Sequence, residues 1–478
     1  MLCGAIKQRM RILIIGHGAR EHALAARFIS EGHEVVVCHK KPNIGIERIA
    51  STCWLVPDYI SVSHITDKAV ADNIDLIIPT DEEALFSGIA DEANRRGLRC
   101  FGHNAYTATM LERQRPAVIA ALSYRAPIAR PTGKIVHSYR ETMEMIHDTG
   151  ATVVVKPIAT PFTVTFVTPK TGVEWCQHVK WPAWVETYIE GREFSTHLLY
   201  VNGQPKHLGI TLDYPFTDLS RQTLTDGMGA VALPNDNDVI SSSIIKKCTQ
   251  AATNGVARLA TISGIHPNGF ISAQFRASAQ GVIFTEMDCK PGNPEIIALL
   301  PTLRNDLVTL LTDPNDAPLY TDTTVIALSM APPSYPKTLS VTKVPAWRES
   351  DGVFYGESLR VDDEFIALGP SRALCLVQSA SSIGLARSLI LSTAIGTAKT
   401  TNLTYRTDVG DIALRGASLR VKASIKKLQQ RGGRRLMLRL SPDANASLDI
   451  LMATGEFRSV TEAINILLVR TTINDAHS

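Results

Sequence analysis

The stretch Val282-Ile-Phe-Thr-Glu-Met-Asp-Cys-Lys-Pro-Gly-Asn-Pro-Glu295 most constrains this chain. An apolar strand ends in two carboxylates, Glu286 and Asp288, two residues apart. Alternate strand residues share a face, so both can reach one hard cation. Mg²⁺ prefers one or two carboxylates, with phosphate oxygens and water filling its shell. The loop that follows supplies a turn, the cation of Lys290 and the amide of Asn293 beside that metal. These are the parts needed to handle Mg·ATP and an acyl phosphate. Taken alone, an E-x-D at a strand end is more often a solvated strand terminus.

A second constraint lies near the start. Arg11-Ile-Leu-Ile-Ile is a continuous apolar run; Gly16-His-Gly18-Ala-Arg20-Glu21-His22 and a helix-like Ala-Leu-Ala-Ala-Arg-Phe follow. This reads as strand, glycine turn, helix. Glu34–Cys38 and Ile74–Pro79 read as further buried parallel strands. A helix is predicted over about 82–96, then a short strand at 99–101. Residues 11–115 therefore form one α/β domain with a parallel sheet. Glu21 stands where a nicotinamide fingerprint needs glycine, so that class is disfavoured. His22 reads as structural.

Residues 116–320 mix strands and helices. Strands are predicted at 152–156, 184–190 and 193–201, with Asn202-Gly203 as a hairpin turn. A hairpin over 270–276 and 281–286 delivers the carboxylate pair. Residues 321–412 read as a small β-rich domain. A basic linker at 413–433 and a compact unit at 434–473 complete the chain.

At 478 residues, several domains are expected. The eight cysteines form no C-x-x-C pair, which points to reduced thiols in a cytoplasmic protein. No run is long and apolar enough to span a bilayer, and residues 1–10 lack the apolar region of a signal peptide. A net charge of +3 excludes neither acidic small substrates nor nucleic acid.

The first four hundred residues resemble the phosphoribosylamine–glycine ligase family, which has the ATP-grasp fold. Several motifs occur in that family's order: Arg11–Ala25; Asp75-Leu-Ile-Ile with Glu82 and Gly88; Val185–Ser195; Asp226-Gly-Met-Gly-Ala230; Glu286–Glu295; and Tyr405-Arg-Thr-Asp-Val-Gly410. The resemblance implies that residues 116–320 are an ATP-grasp domain. It also implies a reaction, in which ATP phosphorylates a carboxylate, an amine attacks the acyl phosphate, and an amide, ADP and phosphate result. That chemistry needs positioned phosphates, a metal and cations rather than a protein nucleophile.

The resemblance also implies roles. Glu286 and Asp288 hold Mg²⁺ or Mn²⁺. Lys156, at a strand end, touches the ATP phosphates; otherwise it is a strand-end lysine whose head snorkels to water. The backbone of Glu186, Thr187, Tyr188 and Ile189 holds adenine, and Glu193 accepts from the ribose hydroxyls. Gly16, Gly18, Arg20, Glu21, Glu82 and Glu295 bind the substrates, with Lys290 and Asn293 nearest the chemistry. Three departures stand out. Lys290 replaces an Arg and cannot grip a carboxylate bidentately. Asn293 replaces an Asp. Pro157–Phe166, with neither glycine nor lysine, replaces a glycine-rich phosphate loop.

The tail carries Arg415, Arg420, Lys422, Lys426, Lys427, Arg431, Arg434, Arg435 and Arg439 with no intervening acid. Arg435, Met437 and Arg439 alternate with leucines, and two short helices follow, the second opened by Ser459 with Glu462. Strand, helix, helix resembles a ribbon-helix-helix. Such domains are intertwined dimers whose paired strands enter DNA, so a homodimer and DNA contact are expected through Arg435, Met437 and Arg439. The alternative is a dimerising tail with a solvated basic strand. For the whole chain, the competing readings are a diverged ATP-grasp ligase joining another carboxylate and amine, and a catalytically silent nucleotide- or DNA-binding scaffold.

Overall fold

A computed structural model describes residues 9–122, 128–158, 165–167, 179–217, 224–234, 237, 239–278 and 281–411. The expected tail, with Arg435, Met437 and Arg439, lies outside the described residues, as do residues 159–164 of the loop after Lys156.

The N-terminal part runs β1 (Arg11–Ile15), α1 (Ala19–Ser30), β2 (Glu34–His39), α2 (Ile44–Ile49), β3 (Thr52–Leu55), α3 (Val62–Ala71) and β4 (Leu76–Pro79), then α4 (Glu82–Phe86), α5 (Ile89–Arg95), α6 (Ala105–Arg113) and α7 (Arg115–Leu122). Its sheet is parallel, in the order β3-β2-β1-β4. Continuous apolar strands suit a sheet covered on both faces. Ile12 and Ile14 pack into one core, and Leu13 and Ile15 into the other. The helix expected over 82–96 is two helices, because Gly88 takes a left-handed φ of 83° between them. The strand expected at 99–101 is reduced to one bridge, Cys100 to Ile77.

Next come β5 (Gly133–Val136), α8 (Tyr139–Thr149), β6 (Val153–Pro157), β7 (Thr165–Val167) and β8 (Ala183–Thr187), forming an antiparallel sheet in the order β5-β8-β6-β7. They are followed by β9 (Arg192–Val201), β10 (Gln204–Asp213), β11 (Gly229–Leu233), α9 (Ser242–Ser263), β12 (Gly269–Ser278), β13 (Gly281–Asp288), α10 (Glu295–Leu299) and α11 (Leu307–Thr312). Asn202 and Gly203, with φ of 50° and 84°, join β9 to β10 as the expected hairpin.

The last block holds β14 (Thr324–Met330), β15 (Val341–Val344), β16 (Val353–Tyr355), β17 (Ser358–Val361), β18 (Glu364–Leu368), β19 (Leu374–Ala380) and α12 (Ile383–Thr401). Its strands do not make one separate sheet. β14, β19 and β16 extend an eight-stranded antiparallel sheet in the order β13-β12-β9-β10-β11-β14-β19-β16, while β15, β18 and β17 form a small sheet apart. The 19-residue helix α12 was not expected in a β-rich block. Its apolar residues point both inward, as Ile390 and Ala394, and outward, as Leu385 and Leu389, so no helical stripe marks it. Among the described residues, no helix is long and apolar enough to cross a membrane.

Candidate active site

A cavity of about 830 Å³ gathers the end of β13, the turn between β1 and α1, β6, β8 and the loop before β19. Fifteen of the sixteen residues singled out near the reaction — Gly18, Arg20, Glu21, Glu82, Lys156, Glu186, Thr187, Tyr188, Ile189, Glu193, Glu286, Asp288, Lys290, Asn293 and Glu295 — line it. Gly16 does not line it. Its φ of 150° and the 2.6 Å that would separate a Cβ from Glu21 Cγ show why glycine stands there.

On β13, Met287 is buried while Glu286 and Asp288 are partly exposed toward the cavity, as alternation requires. Lys156 Nζ, from β6, reaches Glu286 Oε2 at 2.8 Å, and Arg115 Nη1 lies 3.9 Å from the same oxygen. Burial raises the Glu286 pKa, but Lys156 and Arg115 outweigh it and hold the carboxyl low. Asp288 accepts from Gln274 Nε2 at 2.9 Å. Burial, with Glu112 and Glu286 adding, pushes Asp288 up despite Lys290. Two cavity-facing carboxylates kept apart in charge this way fit a divalent cation, which would relieve their repulsion.

Glu186, read from sequence as a backbone ligand, is buried and takes part through its side chain. It accepts from Arg115 Nη2 at 2.8 and 3.0 Å and from Trp184 Nε1 at 2.7 Å, and Lys156 lies 3.3 Å away. Thr187 N and Tyr188 N donate to Thr132 O and Thr152 O inside the protein. Glu193 Oε1 pairs with Arg276 Nη2 at 2.7 Å, and Arg276 also donates to Ile189 O and lies over the Tyr188 ring. Arg276 thus rigidifies the segment expected to hold the nucleoside.

At the N-terminal turn, Glu21 is 2% exposed. It accepts from Gly18 N, Thr80 Oγ1 and Arg20 Nε, each at 2.6 Å. Burial raises its pKa, yet Arg20 and Thr80 hold it down to about 2. Its oxygens are engaged within the protein, so it shapes the turn rather than presenting itself to a ligand. Arg20 Nη1 donates to Pro291 O at 2.8 Å and ties α1 to the loop after β13. Asn293 Nδ2 lies 3.8 Å from where a Cβ on Gly18 would sit. His22 is wholly buried: Nδ1 accepts from Tyr355 N, and Nε2 faces Glu349 Oε1 at 3.2 Å. This is the structural role expected of it.

Lys290 Nζ lies 2.6 Å from Glu112 Oε1 and 3.5 Å from Glu82 Oε2. Burial lowers its pKa, but the two glutamates raise it well above the usual lysine value. Glu295 opens α10 near Asp213. Burial raises both; Glu295 raises Asp213 further, and Asp288 raises Glu295. Asp213 accepts from Thr211 Oγ1 at 2.6 Å and from Ser195 Oγ.

Sequence reasoning did not name Glu112, Arg115, Asp213, Gln274, Arg276 or Arg372, which all line the cavity. Asp213 ends β10 much as Asp288 ends β13, a signal that was available. The others are defined by partners far away in the chain.

Elsewhere, ligand atoms of Glu31, His33 and Asp306 lie within 4.8 Å of one another. His33 Nδ1 accepts from Met10 N at 3.2 Å, which leaves the neutral ring's proton on Nε2, facing Asp306 Oδ2 at 3.6 Å. Arg27 Nε lies 2.6 Å from Glu31. The group is a polar brace with no imidazole lone pair left for a metal.

Comparison with known proteins agrees with this architecture. Residues 10–112 match the family model "Phosphoribosylglycinamide synthetase, N domain". A phosphoribosylamine–glycine ligase of Halalkalibacterium halodurans is 24% identical over 429 residues, 85% of this chain and 97% of that protein. One from Methanobrevibacter smithii is 25% identical over 439 residues, 84% and 96%. The crystal structure of the Thermotoga maritima phosphoribosylamine–glycine ligase superposes with a TM-score of 0.67 at 18% identity, covering 83% of this chain and 99% of that one. A biotin carboxylase domain from Hydrogenobacter thermophilus, solved with MgADP, gives 0.60 at 14% identity, covering 83% and 92%. Residues 10–112 thus resemble a phosphoribosylglycinamide synthetase N domain, and the chain is similar to phosphoribosylamine–glycine ligases over most of its length and shares their fold.

Proposed function

We propose that the protein is an ATP-dependent carboxylate–amine ligase that joins glycine to phosphoribosylamine in purine biosynthesis. The observation that carries this reading is the meeting of Lys156 and Glu286 at 2.8 Å in one cavity with Asp288 and the Gly18 turn. ATP phosphates have a cation in Lys156, supported by Arg115. Glu286 and Asp288 would hold the magnesium ion, which neutralises phosphate charge when bound. Tyr188, Ile189 and Glu193 border the nucleoside end, and Gly18, Arg20 and Glu82 the amine end. The carboxylate oxygen attacks the γ-phosphorus and ADP leaves. The amine nitrogen then attacks the acyl carbon, loses a proton, and phosphate leaves. Holding the reactants close and aligned supplies much of the rate.

The test is ADP and phosphate release with Mg·ATP, with and without phosphoribosylamine plus glycine, and with Glu286→Ala as control. Turnover that needs both substrates and vanishes in the control supports the reading. Nucleotide binding without such turnover moves it to another carboxylate–amine pair, which the Lys290–Glu112 pairing at 2.6 Å favours.

The basic tail is proposed, on its sequence, to dimerise and contact DNA through Arg435, Met437 and Arg439. A gel shift that weakens with salt and disappears on truncation after Leu414 is expected; an unchanged shift would sink it.

A further inference from the structure

Five cations lining the cavity face a carboxylate. Arg20 lies 2.6 Å from Glu21, Arg115 2.8 Å from Glu186, Lys156 2.8 Å from Glu286, Arg276 2.7 Å from Glu193, and Lys290 2.6 Å from Glu112. Lys290 has a second carboxylate, Glu82, at 3.5 Å. One ammonium between two carboxylates offers no net positive charge to a third.

Arg372 is different. It stands just before β19, and its Nη1 donates to three main-chain carbonyls: Asp226 O at 2.6 Å, Gly227 O at 2.7 Å and Asn293 O at 2.7 Å. Those carbonyls belong to the segment before β11 and the loop after β13. They fix the guanidinium without neutralising it. A guanidinium has five N–H donors in a rigid fork, and Nη1 carries two of them. The three on Nε and Nη2 have no protein acceptor among the described residues, and no carboxylate there lies at ion-pair distance. Among the described residues Arg113 also has no carboxylate at ion-pair distance, but its guanidinium lies 3.8 Å over the Phe86 ring.

Position adds to the case. Asn293, whose carbonyl Arg372 holds, presents its amide toward Gly18 at the amine end of the cavity. Its loop begins at Asp288, at the metal end. Arg372 also lies within electrostatic reach of Glu295, as do Arg20 and Asp288. Where the two ends meet, the wall is acidic, through Asp213, Asp288 and Glu295. An anion would be repelled there without a fixed positive charge facing it. The open edge of a guanidinium grips a carboxylate or phosphate by two parallel hydrogen bonds, which a lysine cannot do.

We infer that Arg372, and not Lys290, is the residue that binds the reacting carboxylate and the acyl phosphate formed from it. This rests on the ligase reading above. Arg372 is a substrate-binding, charge-stabilising residue, and Lys290 is a positioning residue that ties β13 to α6 through Glu112.

Steady-state kinetics on full-length wild type, Arg372→Gln and Arg372→Lys, varying glycine, phosphoribosylamine and Mg·ATP in turn, test this. Arg372→Gln should raise KM for glycine about tenfold or more while KM for Mg·ATP stays within about threefold. Arg372→Lys should recover only part of that, because it restores charge but not the fork. A purely structural role would move all three KM values or the melting temperature. Equal KM changes for glycine and ATP overturn the inference, as does a selective glycine defect in Lys290→Gln but not in Arg372→Gln. A wild type inactive with this pair refutes the substrate assignment instead. A second arm needs no turnover: calorimetric titration with acetyl phosphate, a simple acyl phosphate. Binding by wild type that Arg372→Gln loses supports the inference; equal binding by both, or none by wild type, overturns it.

Discussion

Lys156 on β6 and Glu286 on β13 belong to different sheets, lie 130 positions apart in the chain, and meet at 2.8 Å. Each carries a charge that the ligase reaction needs elsewhere. The lysine should grip phosphate, and the glutamate should hold a cation. Within the cavity they satisfy each other, so neither charge stands alone.

Ligand binding should therefore separate this pair. Lys156→Met should raise KM for ATP about tenfold or more and lower kcat, since a cation facing the transferred phosphoryl group is lost. The same change frees Glu286, so Mn²⁺ should bind more tightly to Lys156→Met than to wild type when no nucleotide is present. Mn²⁺ titration by electron paramagnetic resonance reads this directly. Weaker Mn²⁺ binding in the variant would mean that Glu286 is not a metal ligand.

Asp288 should tolerate an amide in its place but not the loss of its oxygen. Asp288 is pushed up by burial first, with Glu112 and Glu286 adding their charge. Asp288→Asn keeps an oxygen at the same reach and removes a like charge. It should keep Mg²⁺-dependent ADP release within about tenfold of wild type, whereas Asp288→Ala and Glu286→Ala should lose it. A dead Asp288→Asn beside an active Asp288→Ala would contradict the metal assignment.

The separation between readable and unreadable features follows chain distance. The Asn202-Gly203 hairpin, the β13 carboxylates and the β1–α1 turn are local patterns, and residues two to four positions apart decide them. Glu112 meets Lys290 across 178 positions, and Arg20 meets Pro291 O across 271. Nothing near Lys290 in sequence shows that it is neutralised, so it read as the reacting cation. The α4–α5 break needed the φ of Gly88. The merging of β14, β16 and β19 into the large sheet needed strand pairings that periodicity does not carry. Arg372 went unnoticed because its partners among the described residues are main-chain carbonyls distant in the chain, which no local pattern marks.

Glu21 offers a test of positioning. It bridges Gly18 N, Thr80 and Arg20 with three bonds of 2.6 Å. Glu21→Gln removes the charge facing buried Arg20 and should destabilise the fold by about 3 kcal/mol, with the cost largest where the cation is left alone. Urea denaturation measures it. Because the turn borders the amine end, KM for phosphoribosylamine should rise more than KM for ATP. A stability unchanged from wild type would show that the network is not intact in solution.

Acid sensitivity should trace in part to His197 on β9. Nδ1 lies 2.9 Å from Ser272 Oγ, and Nε2 lies 2.9 Å from Thr211 Oγ1, inside the large sheet. Burial first, then nearby His207, lowers its pKa to about 3. The ring is therefore neutral when folded, whereas in the unfolded chain it titrates near 6.5. Between those values the unfolded state binds the extra proton. The contribution of His197 to stability is thus full above about pH 6.5 and is lost as pH falls toward 3, reaching about 2 kcal/mol at pH 5. Histidine hydrogen–deuterium exchange followed by mass spectrometry should show no inflection for His197 near 6.5. His197→Gln, whose amide can still meet both hydroxyls, should flatten the fall in urea-measured stability between pH 6.5 and 5. An ordinary inflection near 6.5 would place the ring in contact with water and remove this source of acid sensitivity.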